Sequence, residues 1–226
     1  MSIEDSDNLY VLEEEEKEVD TSPYNYASYG REEIEESVKE EEKKASAFGL
    51  LIRIMFNPVE GWKKLRRSGL SIEKLQSGCF YPLLSLLAIS KFADYFYSVD
   101  VNLSKVVTES VVAFVSFFFG YFCIEKIMTL LLSKEPEEKV KEDFGKGYIL
   151  ISLSSLVIFS VITDLLPMIW PILIFLPIWT LYLMYKGVRF FLLPHKSEGK
   201  FYVVMGASAI GVPLLIEWIL TTILPY

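Results

Sequence analysis

The sequence predicts an all-α polytopic membrane protein with five transmembrane helices, preceded by an interfacial amphipathic segment and a disordered acidic tail. Two observations support this fold class. The 226-residue chain is 52% hydrophobic and 15% aromatic, which is more apolar than an ordinary soluble domain. Its apolar residues also fall into runs of about 20, the length that an α-helix needs to cross the hydrocarbon core of a bilayer.

The first 45 residues are predicted to be a disordered cytoplasmic tail. Residues 1–42 contain 16 Asp and Glu side chains against three basic ones, so they carry about −13, whereas the rest of the chain is near +5. Such a segment cannot bury enough apolar surface to offset the entropy lost on ordering. Because glutamates occupy residues 13–16, where a secretory signal needs apolar residues, we expect no signal peptide.

Residues 46–77 are predicted to form the interfacial amphipathic segment. Asn57 and Pro58 suit the N-cap and first position of a helix, so a helix should begin at residue 58. The apolar stretch before it, AFGLLIRIMF (47–56), is too short to span a bilayer and should lie at the interface or pack on the bundle. Tryptophan on one face of a helix, flanked by basic residues, is typical of a helix in the headgroup region. The predicted membrane-surface residues are Trp62, Lys63, Lys64, Arg66 and Arg67.

Residues 78–224 are predicted to form the transmembrane domain. The spans are expected at residues 78–97, 106–126, 147–166, 169–190 and 201–223. The apolar block from Tyr148 to Leu193 is too long for one crossing. Asp164, Pro167 and Pro171 mark the position of the tight turn that should divide it.

The short loops predict the orientation, because cytoplasmic loops retain lysine and arginine. Basic residues are concentrated before the first span, between the second and third, and between the fourth and fifth, whereas the alternate loops contain only Lys105. The N-terminus is therefore expected in the cytoplasm and the C-terminus on the far side.

Several of these features occur in a fixed order along the chain. Asn57-Pro58 is followed by Gly61-Trp62, a basic amphipathic stretch, YPLLSLLAIS at the start of the first span, a polar loop ending in FGKGYILISL, and two paired final spans. In this order the sequence resembles the Yip-type family, the Ypt/Rab-interacting membrane proteins also written YIPF. The resemblance covers roughly residues 48–224.

The resemblance implies five spans and a cytoplasmic N-terminus, the topology that the distribution of lysine and arginine predicts independently. Eukaryotic members of the family act in vesicle traffic around the Golgi and endoplasmic reticulum, through small GTPases and one another. This sequence lacks their typical Asp-Leu-Tyr-Gly-Pro segment. It is therefore similar to the prokaryotic-style members, which implies a bacterial cytoplasmic (inner) membrane.

Charged residues inside the predicted spans are candidates for a chemical function. Each costs about 2.5–3.5 kcal/mol at a helix centre, so each needs a partner or a role. The topology places five of them in the half of the membrane away from the cytoplasm, namely Lys91, Asp94, Glu109, Asp164 and Glu217. Lys91 and Asp94 are three residues apart and can pair, and Glu217 is a second possible partner for Lys91. The cluster is either an internal ion pair with interfacial charges or a polar vestibule that binds a cation or relays protons.

The sequence does not favour an enzyme. Its single histidine, His195, lies in a predicted cytoplasmic loop, and no phosphate-binding glycine loop is present. No catalytic residue, metal or cofactor is predicted, and the small basic cluster beside a membrane span does not favour nucleic acid. The expected role is membrane organisation or an interaction scaffold, with lipids and other membrane proteins or a second copy as partners. The alternative is a small transporter or channel component that uses the intramembrane charges.

Overall fold

The computed structural model describes residues 46–97, 102–132, 138–169, 175–191 and 195–224. Every regular element in these ranges is helical and none is a β-strand, as the predicted all-α class requires. The described residues belong to a compact unit that covers Glu40–Tyr226. The predicted acidic tail, residues 1–45, lies outside the described residues.

The described helices follow one another along the chain and are named in that order. They are α1 (Ala47–Phe56), α2 (Pro58–Ser68), α3 (Ile72–Leu75), α4 (Tyr81–Ser90), α5 (Asp94–Tyr97), α6 (Leu103–Leu132), α7 (Glu138–Leu165), α8 (Leu176–Val188) and α9 (His195–Ile223). A π-helical turn, Gln76–Phe80, joins α3 to α4, and a 3-10 turn, Lys91–Ala93, joins α4 to α5. Residues 72–97 are therefore helical throughout. This stretch, the composite helix, begins six residues before the predicted first span and is roughly 39 Å long.

Three helical segments are long and apolar enough to cross a membrane. They are Leu103–Leu132, Asp143–Leu165 and Ser197–Ile223. The first and last contain the predicted second and fifth spans, and the middle one covers the predicted third span to within one residue of its end. By length and composition, these three predicted spans therefore correspond to candidate membrane-spanning helices.

The break after the third span lies where the prolines predict it. Helix α7 ends at Leu165, and a 3-10 turn, Pro167–Ile169, follows it. Residues 170–174 lie outside the described residues, and helix α8, Leu176–Val188, falls within the predicted fourth span, residues 169–190, with Pro177 in its first turn. The backbone N–H groups of a helix's first turn have no acceptor within the helix, so a proline, which lacks this group, costs nothing there. Pro177 therefore starts the helix rather than kinking it.

Helix α7 lies at the centre of the bundle. Two thirds of its apolar stretch is buried, whereas only about a fifth of the apolar stretch of α9 is buried. Ser152, Ser154 and Ser155 of α7 are fully buried, as expected for small residues that let helices approach closely. The hydroxyls of Ser152 and Ser155 donate to carbonyls one turn earlier, both at 2.7 Å, so neither is unsatisfied.

The outer face of α9 is apolar and exposed, with Val203, Leu214 and Trp218 more than half accessible. Ala207 and Gly211 lie on this exposed side. An exposed apolar surface of this kind suits contact with lipid.

Candidate membrane-contact site

Helices α1 and α2 form a short helical hairpin, here the N-terminal hairpin, joined at Asn57. The Asn57 side chain accepts a hydrogen bond from the backbone N–H of Glu60 at 3.4 Å, and Pro58 occupies the first turn. The predicted helix start at residue 58 is confirmed. The helix ends at Ser68, and Gly69 caps it with a φ of 54°, in the left-handed region where glycine carries no steric penalty.

Gly61 allows the two helices of the hairpin to approach closely. A Cβ atom at this position would lie 2.6 Å from the Cα atom and 2.8 Å from the backbone nitrogen of Ile54. Real Cβ atoms essentially never come so near to other atoms, so a larger residue would force the helices apart. Ile54 and Leu51 of α1 are fully buried against the rest of the protein.

Trp62 fixes the hairpin to the bundle. Its indole N–H donates to the backbone carbonyl oxygen of Leu183 in α8 at 2.9 Å, and its side chain is 0% exposed. The prediction that Trp62 contacts the membrane surface is wrong. The tryptophan is buried because Gly187 leaves room for it: a Cβ atom there would lie 2.8 Å from the Trp62 ring and 2.7 Å from the Tyr148 ring.

Aromatic rings surround Trp62 and connect four helical segments. The Trp62 ring centroid lies 5.3 Å from that of Tyr148 in α7, and the Tyr148 ring contacts Phe191 at 5.2 Å and Phe201 of α9 at 6.4 Å. The Tyr148 hydroxyl donates to the carbonyl oxygen of Met184 at 3.1 Å. Each buried polar atom of Trp62 and Tyr148 thus has a partner, which makes the hairpin a packed part of the bundle.

The four predicted basic residues lie on the outer side of α2. Arg66 and Arg67 are exposed, whereas Lys63 and Lys64 are half-buried. Lys63 is 3.9 Å from the Glu60 carboxylate. The hairpin also exposes apolar side chains, with Phe56 83% accessible beside the turn. The hairpin therefore has exposed basic side chains together with exposed apolar side chains.

The intramembrane charges pair differently from the prediction. The Lys91 ammonium lies 2.8 Å from one carboxylate oxygen of Asp164, and Ser90 Oγ lies 2.7 Å from the other. The predicted Lys91–Asp94 pair is wrong, because Asp94 is exposed on the same helix while Asp164 lies on the facing helix α7. The side chains of Lys91 and Asp164 are only 23% and 16% exposed, so each offsets the desolvation cost of the other.

The remaining predicted polar residues do not join this pair. Glu109 lies 3.7 Å from Lys105, four residues earlier on α6. The half-buried Glu217 has no ion-pair partner among the described residues, so the predicted Lys91–Glu217 contact is not formed. The five predicted residues therefore form no single cluster. Lys91 and Asp164 pair between helices, Glu109 pairs with Lys105 within α6, and Asp94 and Glu217 are separate carboxylates.

The described residues offer no evident metal or cofactor site. In the part of the chain that the structure describes, no three His, Cys, Asp or Glu side chains lie close enough to hold a metal ion. The exposed groups of the N-terminal hairpin can bind a charged surface but carry no arrangement of nucleophile and base.

The sequence model of the Yip1 domain matches residues 52–219 of this chain, a range that includes most of the hairpin and most of α9. The chain belongs to the Yip1-domain family. This family consists of membrane proteins and is not known for enzymatic activity. Comparison of this Yip1-domain protein with curated proteins and with solved structures gives no match.

Two features of this Yip1 domain were not expected from its sequence. One is the ring cluster around Trp62, and the other is an ion pair between Lys146 of α7 and Glu125 of α6 at 3.4 Å. The glycines of FGKGYILISL were a usable signal for close packing, because a Cβ atom at Gly145 would lie 2.7 Å from the Met128 Cε atom. The Lys146–Glu125 pair had no local signal, since the two residues lie on different helices.

Proposed function

We propose that this Yip1-domain protein organises membrane lipids and partner proteins, without catalysis, through a hairpin held rigidly at one end of a five-span bundle. The observation that carries the proposal is the position of Trp62. Its buried hydrogen bond to Leu183 joins the hairpin to the bundle, while Phe56, Arg66 and Arg67 remain exposed. A rigid hairpin with apolar and basic exposed groups matches the surface of a bilayer.

Five crossings are supported by contacts at opposite ends of α7. The composite helix runs parallel to α7, because Leu75 approaches Gly147 near one end and Lys91 pairs with Asp164 near the other. Phe201, near the start of α9, contacts Tyr148 at the first of these ends. This arrangement favours a return along the bundle between α7 and α9, and we assign the fourth crossing to the part of the chain that contains α8.

The proposed orientation places the hairpin at the cytoplasmic face. The predicted cytoplasmic loops contain most of the basic residues outside the spans. The residues around the hairpin also combine aromatic and basic side chains, as is typical of a bilayer boundary. Lys186 lies 5.3 Å from the ring centroid of Tyr182, and Arg189 lies 5.3 Å from that of Tyr185. Because the sequence resembles the prokaryotic-style members of the family, the bacterial inner membrane is the proposed location.

The hairpin would act by partial insertion into the cytoplasmic leaflet. Moving an exposed phenylalanine into an apolar environment is worth about 1.5–3 kcal/mol, which favours insertion of Phe56. The exposed guanidinium groups of Arg53, Arg66 and Arg67 limit the depth, because they stay at the level of the lipid phosphates. The proposed partners are these lipids and other membrane proteins or a second copy, for which the exposed face of α9 is available.

Depth-dependent fluorescence tests the inserted hairpin. In a chain whose Cys79 and Cys123 are replaced by alanine, a polarity-sensitive label on Phe56→Cys should be quenched by brominated lipids. The matched control is Glu60→Cys on the same hairpin, where the label should be quenched by aqueous iodide instead. If iodide reaches both labels equally, the hairpin does not enter the bilayer and the proposal is wrong.

A transporter or channel component is the second candidate, and Glu217 favours it. A half-buried carboxylate without an ion-pair partner in the described residues, on a membrane helix, is a common feature of ion and proton pathways. Against this reading, the charge of Lys91 is already neutralised by Asp164. Cation or proton flux into vesicles that contain the purified protein, lost in Glu217→Gln but kept in Asp94→Asn, would establish the transporter. Absence of flux excludes it.

A further inference from the structure

A cavity of about 680 Å³ lies where the end of the N-terminal hairpin meets the start of the composite helix and the start of the apolar part of α7. Its volume is within the range of sites that hold small organic molecules. The wall is mostly apolar, with Leu65, Leu70, Phe144 and Phe190 among its residues. Three charged side chains, Arg66, Glu73 and Asp143, also line it.

These three charged groups are available to a ligand. All three residues are exposed, and among the described residues no ion pair engages any of them. Two carboxylates and one guanidinium around one cavity favour a ligand that itself carries both signs of charge. A simple anion would meet two carboxylates, and a simple cation would meet the guanidinium.

The position of the cavity indicates where such a ligand comes from. Asp143 lies shortly before Tyr148, where the uninterrupted apolar run of this candidate span begins, so the cavity lies at the end of that run. Lipid headgroups occupy this level, and acyl chains begin just beyond it. The charged and apolar parts of the cavity thus match the two parts of a phospholipid.

We propose that the cavity binds the headgroup of a phospholipid with a primary ammonium group, as in phosphatidylethanolamine. Arg66 would donate to the phosphate, and Asp143 and Glu73 would accept hydrogen bonds from the ammonium group, while the apolar wall contacts the glycerol and upper acyl chains. A choline headgroup carries the same charges but no N–H donor, so it should bind more weakly. The inference rests on the proposed function only in placing this end of the bundle at a lipid surface.

Native mass spectrometry of the full-length, delipidated protein in detergent tests the site. Phosphatidylethanolamine, phosphatidylcholine and phosphatidylglycerol with identical acyl chains would be titrated separately. We expect phosphatidylethanolamine to bind about tenfold more tightly than phosphatidylcholine, the effect of losing one or two charge-assisted hydrogen bonds. Equal affinity of the unaltered protein for these two lipids overturns the proposal without any variant. Displacement of bound lipid by inorganic phosphate also overturns it, because the site would then recognise free phosphate.

Substitutions assign the roles of the three side chains. Asp143→Asn with Glu73→Gln should remove the preference for phosphatidylethanolamine and leave phosphatidylglycerol binding unchanged or stronger. Arg66→Gln should weaken both lipids about tenfold. Arg67→Gln is the matched control, because this neighbouring exposed arginine does not line the cavity. If Arg67→Gln weakens binding as much as Arg66→Gln, the effect is a general surface charge and the proposal fails. The insertion depth of a label at Phe56 tests the hairpin separately, so the two proposals can fail independently.

Discussion

Replacing Gly61 by alanine should destabilise the protein by separating the two helices of the hairpin. The added Cβ atom would lie 2.6 Å from the Ile54 Cα atom, and because that atom belongs to the backbone no side-chain rotation can relieve the contact. Reaching an ordinary separation needs a shift of roughly 0.8 Å, which sacrifices a quarter to a half of the dispersion energy between the shifted atoms. Overpacking of this kind costs about 1–3 kcal/mol. Alanine also favours the helix by about 1 kcal/mol, so the expected net loss is up to about 2 kcal/mol, and the loss relative to a glycine-to-alanine change in open space is about 1–3 kcal/mol.

Unfolding in mixed micelles by sodium dodecyl sulfate, followed by tryptophan fluorescence, measures this loss. The matched control is Gly49→Ala in the same hairpin, where the nearest atom to the added Cβ is the Ser46 Cβ at 3.8 Å. That variant should gain about 0.5–1 kcal/mol from helix propensity alone. Equal stability of the Gly61→Ala and Gly49→Ala proteins would show that the hairpin is not closely packed.

Two further predictions concern the contacts that join distant parts of the chain. Trp62→Phe removes the hydrogen bond to the Leu183 carbonyl and should lower the free energy of unfolding by about 1 kcal/mol. The α-helical circular dichroism spectrum should stay near that of the unaltered protein. An unchanged free energy of unfolding would contradict the role of the indole N–H. Lys91→Gln and Asp164→Asn should each lower the free energy of unfolding by about 1–2 kcal/mol, because each leaves a partly buried charge unpaired. A double-mutant cycle should show a coupling of about 1 kcal/mol between the two side chains. Asp94→Asn is the control and should have no effect beyond about 0.5 kcal/mol, since Asp94 is exposed.

The helices could be predicted from the sequence because their signals are local. An apolar run of about 20 residues identifies α6, α7 and α9, and Asn57-Pro58 identifies the start of α2. The start of α8 was less predictable, since Pro167, Pro171 and Pro177 all lie near the break. Proline both ends and begins helices, so its position alone does not decide which residue begins the next one.

The partners of the candidate site residues were not predictable, because they depend on contacts between distant segments. The basic amphipathic pattern around Trp62 fits both a lipid interface and a packed hairpin. The packed hairpin forms because Gly187, 125 residues later, leaves room for the ring. Likewise, helical spacing proposed Asp94 as the partner of Lys91, but the facing helix supplies Asp164, which would otherwise be a partly buried charge without a counterion.

The hairpin and the C-terminal end of α9 should lie on opposite sides of a membrane that the chain crosses five times. Single cysteines at Arg66→Cys and Leu224→Cys, in the chain lacking its native cysteines, can be probed with a membrane-impermeant maleimide on intact cells and on inverted vesicles. We expect labelling of position 224 on intact cells and of position 66 only on inverted vesicles. Labelling of both positions from the same side would require an even number of crossings and would contradict the five-span bundle.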